Sequence, residues 1–254
     1  MGMMSLTDHA LVQKVRSRVE RHGWVNTLHF ACMRLINVVL PLRILRGLHA
    51  ETVDLSFLAC PRRYRGGFAA SEALAGFSQD PEAQLSPHFV AQALRAGDEC
   101  YALCEGERVA SYGWCSTHPT PVGTAELVLH FSPDYAYCYK CFTAVRHRGQ
   151  RLHAIAMTRT LRHYRSKGYR GLLCYVESTN FDSLKSYRRM GYKAFGSIVL
   201  LRAFGRYFAF STPGCKRFDF RIEHAAPPAA SGENCGFRAA ALLRPASGGP
   251  RRAR

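Results

Sequence analysis

Long apolar runs and acidic residues are both scarce in this sequence. The densest apolar stretch without Lys or Arg covers residues 35–42, whereas a membrane-spanning helix needs roughly 20 residues. No secretory signal is visible, because the first apolar run comes late and contains Arg34. We therefore expect no membrane-spanning helix and a cytoplasmic location.

The chain has 18 acidic residues against 35 Lys and Arg, which gives a formal net charge of +17 over 254 residues. Such an excess indicates an anionic partner, which could be nucleic acid, a membrane surface or a phosphate-bearing small molecule. The excess is concentrated between residues 146 and 224, which hold 17 basic and 4 acidic residues. A composition with 47% apolar residues is ordinary for a folded core and excludes wholesale disorder.

Composition and periodicity divide the chain into three parts. Residues 1–48 are predicted to form amphipathic helices, residues 49–224 the main domain, and residues 225–254 a disordered basic tail. The second helix, which Pro41 should kink or end, carries an apolar stripe at steps of three and four, namely Trp24, Leu28, Ala31, Leu35, Val38, Leu42 and Leu45. We expect this stripe to pack on the main domain, and the alternative is a basic amphipathic anchor on anionic lipid.

Ten cysteines are scattered through the chain, and without an export signal we expect them to be reduced. The pair Cys138 and Cys141 has C-x-x-C spacing within a predicted strand. An offset of three on a strand places two side chains on opposite faces, so we expect no metal site there. Small buried apolar side chains are the favoured role for most of these thiols.

The remaining pattern predicts alternating strands and helices in an α/β (α+β) order. Two of the predicted helices have strong end signals, with Ser86 as an amino-terminal cap and Gly168 as a carboxy-terminal one. The predicted strands cover residues 51–58, 99–104, 108–115, 125–131, 137–145, 172–176, 192–201 and 206–210. The predicted helices cover residues 69–77, 87–96 and 151–167 and a segment from Asn180 to about residue 190.

A basic turn over residues 145–152 joins the most apolar strand to a helix. The first turn of a helix has unpaired amide groups, and these form a natural site for phosphate oxygens. Gly149 allows a close approach of the backbone to a ligand, and the flanking arginines attract negative charge. The turn therefore indicates a phosphate site.

The sequence here resembles the GNAT N-acetyltransferase superfamily, as a divergent member of bacterial type, over about residues 50–212. The pattern of that family is R-x-x-G-x-G/A after one strand, Asn after the next, and Tyr followed by Gly-Phe/Tyr. We place Arg148 at the first position, so that Arg151 and His153 stand where the family has glycine or alanine. The matching stretches are Cys141-Phe142-Thr143-Ala144, Arg148-Gly149-Gln150-Arg151-Leu152, Glu177-Ser178-Thr179-Asn180 and Tyr187-Arg188-Arg189-Met190-Gly191-Tyr192.

The resemblance implies a mixed, mostly antiparallel central sheet flanked by helices, with acetyl-CoA bound between two splayed parallel strands. In the family, the tyrosine at the position of Tyr187 donates a proton to the departing thiolate. The residues that the resemblance places on acetyl-CoA are Phe142, Thr143, Ala144 and Val145 along the pantetheine, Arg148, Gly149, Gln150, Arg151, Leu152 and His153 at the pyrophosphate, and Asn180.

Direct transfer of an acetyl group requires a neutral amine, so a base must remove its proton. Glu177 is the best candidate, and Glu126, Asp134 and His130 are weaker ones. A route through a cysteine remains open, although no thiol is marked as activated. The resemblance implies a primary amine of a small molecule as acceptor, with no metal, and residues 62–84 on the acceptor side.

Two other hypotheses remain beside this one. The block over residues 146–224 could bind nucleic acid, with a vestigial acyl-CoA site, although nucleic acid is the partner that we expect least. Residues 1–48 could hold the protein at the periphery of an anionic membrane, which is compatible with enzyme activity. The acceptor, the acyl chain length and the oligomeric state do not follow from the sequence.

Overall fold

Eight strands build the central sheet, and three further strands form a small second sheet. The computed structural model describes residues 6–225, so the predicted tail lies outside the described residues apart from Ala225. The strands are β1 (Leu42–Ala50), β2 (Tyr64–Phe68), β3 (Glu99–Glu105), β4 (Arg108–Ser116), β5 (Thr120–Val122), β6 (Thr124–His130), β7 (Tyr135–Thr143), β8 (Gly171–Glu177), β9 (Lys193–Ala203), β10 (Arg206–Ser211) and β11 (Arg221–His224).

Six helices accompany these strands within the described residues. None of the helices between residues 6 and 225 is long and apolar enough to cross a bilayer. The helices are α1 (Leu6–His22), α2 (Trp24–Val39), α3 (Ser71–Gln79), α4 (Pro87–Arg95), α5 (Leu152–Ser166) and α6 (Phe181–Arg189).

The large sheet has the strand order β10-β9-β1-β8-β7-β4-β3-β2, and the small one β11-β6-β5. Neighbouring strands are antiparallel except β7 and β8, which are parallel because α5 carries the chain back between them. These two strands pair only from Tyr135 opposite Gly171 to Tyr137 opposite Leu173, and they then separate. The predicted fold, a mixed and mostly antiparallel sheet with splayed parallel strands and flanking helices, is confirmed.

Helix α5 packs its apolar stripe on the sheet. Its core-facing residues are at most 7% exposed and join Leu172 and Cys174 of β8 in one cluster; they are Ala154, Met157, Leu161 and Tyr164. Residues that alternate with these on β8, such as Leu173, face a second cluster with Phe218 and Phe220. The sheet is therefore covered on both faces around β8, as its continuous apolar sequence predicts.

Residues 42–48 do not continue the second helix as predicted. Helix α2 ends at Val39. The Asn37 side chain then donates a hydrogen bond to Leu42 O and accepts one from Leu42 N, both at 2.9 Å, at the start of β1. Leu45 is fully buried in β1, opposite Glu177 of β8 and Ile198 of β9. Proline ends a helix, and pairing on both sides of β1 then outweighs the helical spacing.

The strand predicted over residues 51–58 is also wrong. The chain there contains a short 3-10 turn, Leu55–Phe57, because the Asp54 side chain accepts a hydrogen bond from Ser56 N at 2.9 Å. Local side-chain bonds of this kind compete with a strand. Strands β2, β5 and β11 have only three to five residues, and the sequence pattern did not predict them.

The apolar stripe of α2 does not pack on the domain, contrary to our expectation. Trp24, Leu28, Leu35 and Val38 are 73%, 65%, 71% and 80% exposed. The side that faces the protein contains Thr27 and Met33 instead, both buried. Periodicity locates an apolar face correctly here but does not say which way the face points.

Cys138 and Cys141 lie on the same face of β7, not on opposite faces as predicted. Lys140 has a φ of +45°, and the register between β4 and β7 shifts beside Gly113, so that β7 contains a bulge. Both thiols therefore face the core cluster under α5. Within residues 6–225, no group of three or more His, Cys, Asp or Glu is arranged to hold a metal ion.

Candidate active site

A groove opens where β7 and β8 separate. Its inner part, of about 900 Å³, is lined by residues of both strands and by Tyr187 of α6. A second part, of about 730 Å³, runs along the amino-terminal end of α5. The two parts share Thr143, Gly149 and His153, so they form one continuous groove from the gap in the sheet to the start of α5.

The basic turn lies at the junction of the two parts of the groove. Strand β7 ends at Thr143, and Ala144 N then donates to Ala110 O at 2.9 Å. A 3-10 turn, Val145–His147, follows, and α5 begins after Arg151 with no side-chain cap. The first amide groups of α5 thus lack an intrahelical or side-chain acceptor at the edge of the groove.

The backbone conformation changes the register in which the family pattern fits this turn. Glycine is favoured where φ is positive, and φ is +80° at Gly149 and +61° at Arg151. Counted from Arg146, the pattern R-x-x-G-x-G/A places its two glycine positions on these two residues. A count from Arg146 fits these backbone conformations better than our count from Arg148, and it leaves Arg151 as the one departure from the pattern.

The groove around this turn is strongly basic. Five cationic side chains line its outer part against a single carboxylate, that of Asp182, which already pairs with Arg21 at 2.8 Å. The cations are Arg21, Arg148, Arg151, Lys185 and Arg189. A groove of this composition favours an anionic ligand.

Three of the predicted acetyl-CoA contacts do not line the groove. Ala144 is buried beneath the turn, and Val145 is 74% exposed outside the groove. Gln150 points away, because its Oε1 accepts a hydrogen bond from Tyr64 Oη at 2.8 Å and one from Arg63. Gln150 thereby anchors the turn to β2. The other predicted contacts, Phe142, Thr143, Arg148, Gly149, Arg151, Leu152, His153 and Asn180, all line the groove.

Tyr187 lies at the inner end of the groove and is 6% exposed. Its Oη lies 3.7 Å from Cys141 Sγ, to which it donates, and burial raises its pKa well above 10. The Asn180 side chain accepts from Ser183 N at 3.2 Å and so caps the helix that carries Tyr187. The tyrosine hydroxyl is therefore a protonated group at the strand gap.

His153 packs edge-on against Tyr187, with ring centroids 5.2 Å apart. Desolvation lowers the pKa of His153 to about 4, so its imidazole is neutral at neutral pH. Burial also raises the pKa of Cys141 to about 12, which keeps this thiol protonated and a poor nucleophile. Two neighbours of Tyr187, His153 and Cys141, are therefore uncharged at neutral pH.

Glu177 lies on the opposite face of the sheet from Val176 and lines the same groove. Its Oε1 accepts from Arg43 Nε at 2.8 Å and from Arg43 Nη2 at 2.5 Å. This ion pair fixes the carboxylate at the end of β8.

The other candidate bases are not part of the groove. Asp134 pairs with Arg170 at 3.9 Å before the start of β7, and His130 pairs with Glu223 at 3.4 Å in the small sheet. Glu126 is exposed on β6 of the same sheet. Of the proposed bases, only Glu177 lines the groove that contains Tyr187.

Sequence reasoning missed several groove residues. Asp182, Lys185, Ser186 and Arg189 lie at steps of three and four on α6, and this spacing could have identified them as one face. No local signal could have identified Arg21, which reaches the groove from α1. Of residues 62–84, which we expected on the acceptor side, Gln84 lines the groove.

Part of the chain matches a known protein family. Residues 69–192 match the family model described as Acetyltransferase (GNAT) family. No curated protein matches the chain.

Among solved structures, the chain is similar to an acetyltransferase from the GNAT family from Colwellia psychrerythraea, with 17% identity and a TM-score of 0.43 over 68% of this chain and 57% of that one. It is also similar to a GCN5-related N-acetyltransferase-like protein from Streptococcus suis, with 14% identity and a TM-score of 0.42 over 80% of this chain and 68% of that one. The chain thus spans 57% of the length of the Colwellia protein. The match to the acetyltransferase (GNAT) family model covers residues 69–192, just under half of the chain.

Proposed function

We propose that this protein is an N-acetyltransferase that moves an acetyl group from acetyl-CoA directly to a primary amine of a small molecule. One observation carries the proposal: a buried, protonated tyrosine hydroxyl lies in the gap between β7 and β8, at the inner end of a basic groove. The family of residues 69–192 supports the same class of reaction.

The residues of the groove suit coenzyme A, which carries a pyrophosphate and a ribose phosphate. The first amides of α5 and the backbone at Gly149 would hold the pyrophosphate. Arg148, Arg151 and Lys185 would add attraction to its charge. The edge of β7 beyond Tyr137 is not paired with β8, so Phe142 and Thr143 would hold the pantetheine arm. When bound, acetyl-CoA supplies the reactive acetyl thioester.

Two protons must move in such a transfer. A bond forms between the amine nitrogen and the acetyl carbon, the carbon–sulfur bond breaks, the amine loses a proton, and the departing sulfur gains one. Tyr187 would donate the second proton, since its hydroxyl stays protonated at neutral pH. Glu177 would accept the first proton, with Arg43 holding its carboxylate in place.

The test is Tyr187→Phe with Tyr192→Phe as its matched control. Tyr192 packs against Tyr187 with ring centroids 4.9 Å apart, and its buried hydroxyl has no hydrogen-bond partner among the described residues. With release of free thiol as the readout, we expect Tyr187→Phe to lower kcat by roughly 10² to 10⁴. Tyr192→Phe should leave kcat unchanged, and both variants should still bind acetyl-CoA in calorimetry.

Two results would contradict the proposal. If the wild-type chain does not bind acetyl-CoA, the enzyme assignment is wrong. If Tyr187→Phe turns over like wild type, the proton reaches the sulfur from another group. Because the acceptor is not specified by the site, the assay begins with a panel of small amines, and acyl donors of different chain length belong in the same panel.

A further inference from the structure

Helix α2 presents an apolar surface that no described residue covers. Six of its side chains are between 65% and 86% exposed; they are Trp24, Val25, Leu28, Leu35, Val38 and Val39. At 3.6 residues per turn they span roughly 140° of the helix circumference. Isolated exposed apolar residues are ordinary, whereas a continuous surface of this kind marks an interaction site.

The apolar surface continues onto the β9–β10 hairpin. Pro41 O accepts from Arg202 N at 2.9 Å, so the end of α2 meets this hairpin. Phe204 at the hairpin turn is 99% exposed, and Phe208 and Phe210 are 42% and 59% exposed. Phe208 is opposite Leu201, which is opposite Leu42, so these residues share one face of the sheet next to the end of α2.

Basic side chains lie in the groove between α1 and α2 and on the β9–β10 hairpin. The groove between α1 and α2, of about 670 Å³, is lined by Lys14, Arg18, Arg21 and Arg34, and no acidic residue of the described chain lines it. Arg202 and Arg206 are exposed on the β9–β10 hairpin. An apolar face with a cationic rim is complementary to an anionic lipid surface, whose headgroups are negative and whose interior is apolar.

We propose that α2 and the β9–β10 hairpin dock on an anionic membrane, with α2 lying in the plane of the interface and Trp24 at the level of the headgroups. A second copy of the chain fits this surface less well. A symmetric dimer through α2 would bring the Lys14, Arg18 and Arg34 sets of two copies together, and like charges repel.

The test is sedimentation of the full chain with vesicles of phosphatidylcholine alone or with an equal part of phosphatidylglycerol. We expect at least tenfold stronger binding to the anionic vesicles, weakening as salt rises. The double variant Leu28→Glu/Leu35→Glu should lose at least tenfold in binding. Leu55→Glu is the matched control, because Leu55 is 74% exposed in the 3-10 turn that contacts α5, and it should bind like wild type.

Fluorescence gives a second readout. The chain has two tryptophans, and Trp114 is fully buried, so a blue shift on addition of anionic vesicles reports Trp24. We expect the shift in wild type and its loss in Trp24→Phe, with Trp114 emission unchanged. This measurement needs no enzyme activity.

Absence of binding to either kind of vesicle would overturn the proposal. So would a dimer in sedimentation equilibrium that Leu28→Glu/Leu35→Glu dissociates, together with no vesicle binding, because the surface would then hold a second copy. A chain that binds vesicles but not acetyl-CoA would support the membrane surface and overturn the proposed function, so the two proposals fail separately.

Discussion

Helices α2 and α5 have similar apolar spacing and opposite burial. The stripe of α5, which includes Met157 and Leu161, is at most 7% exposed, whereas Leu28 and Leu35 of α2 are 65% and 71% exposed. Helix α5 has three arginines off its stripe, and α2 has one, Arg34. An amphipathic pattern therefore predicts that a helix has two faces, and the partner of the apolar face must be found from the topology.

The connections explain the difference between the two helices. Helix α5 joins the parallel strands β7 and β8, and a crossover of this kind must return over the face of the sheet. Helix α2 precedes β1 through a short link at Pro41 and is not constrained in this way. Its contacts with the domain include polar ones, such as His29 Nε2 to Ser178 Oγ at 3.0 Å.

The largest expected effect is a difference in the free energy of unfolding between two leucine variants, one from each helix. Leu161→Ala should lower the free energy of unfolding by about 2 to 5 kcal/mol, because it leaves a cavity in the core under α5. Leu35→Ala should change it by less than about 0.5 kcal/mol, because this side chain is 71% exposed. Urea denaturation measures both variants. A large loss of unfolding free energy in Leu35→Ala would show that the apolar face of α2 is covered in solution.

A smaller effect concerns protonation at the start of α5. The pKa of His153 is lowered from 6.5 to about 4 in the folded protein, so the unfolded chain binds a proton first as the pH falls. Stability should therefore decrease between about pH 6.5 and pH 4, by on the order of 3 kcal/mol from this group. In His153→Gln this part of the pH dependence should vanish, as denaturation at pH 7, 5.5 and 4.5 would reveal. An identical pH profile in the variant would mean that His153 is not desolvated.

The smallest effect concerns the ion pair that links α1 to α6. Arg21 and Asp182 are 67% and 57% exposed, so a double-mutant cycle with alanine should give a coupling below about 1 kcal/mol that decreases with salt. The cycle is measured by denaturation in low and high salt. A coupling above about 2 kcal/mol would mean that the α1–α2 pair is fixed firmly to the domain, and the contrast with α5 would weaken.

Local signals predicted the elements that the groove depends on. Helix α5, the strands over residues 99–104 and 108–115, the Ser86 cap and the helix that begins at Asn180 follow from spacing and end residues, and the structure confirms them. The predicted fold is confirmed as well. The helical assignment of residues 42–48 failed because β1 takes its stability from pairing with β8 and β9, which are more than 120 residues away. Helical spacing within one segment contains no information about such partners.

The candidate site was predicted only in part, because some of its residues are positioned by distant segments of the chain. Gly149, His153, Asn180 and Tyr187 lie on one stretch of chain that a pattern can recognise, and they do line one groove. The orientation of Gln150 depends on Tyr64 and Arg63, which lie 86 and 87 positions away. The shared face of Cys138 and Cys141 depends on a bulge that forms only against β4.

By itself, the sequence determined the alternation of strands and helices, the basic turn before α5 and the existence of an apolar face on α2. These features follow from residue type and spacing within one segment. The tertiary structure decided that β1 enters the sheet, that Arg21 reaches the groove and that the apolar face of α2 points outward. Each of these depends on which distant segments meet, because burial and strand pairing are properties of the assembled chain.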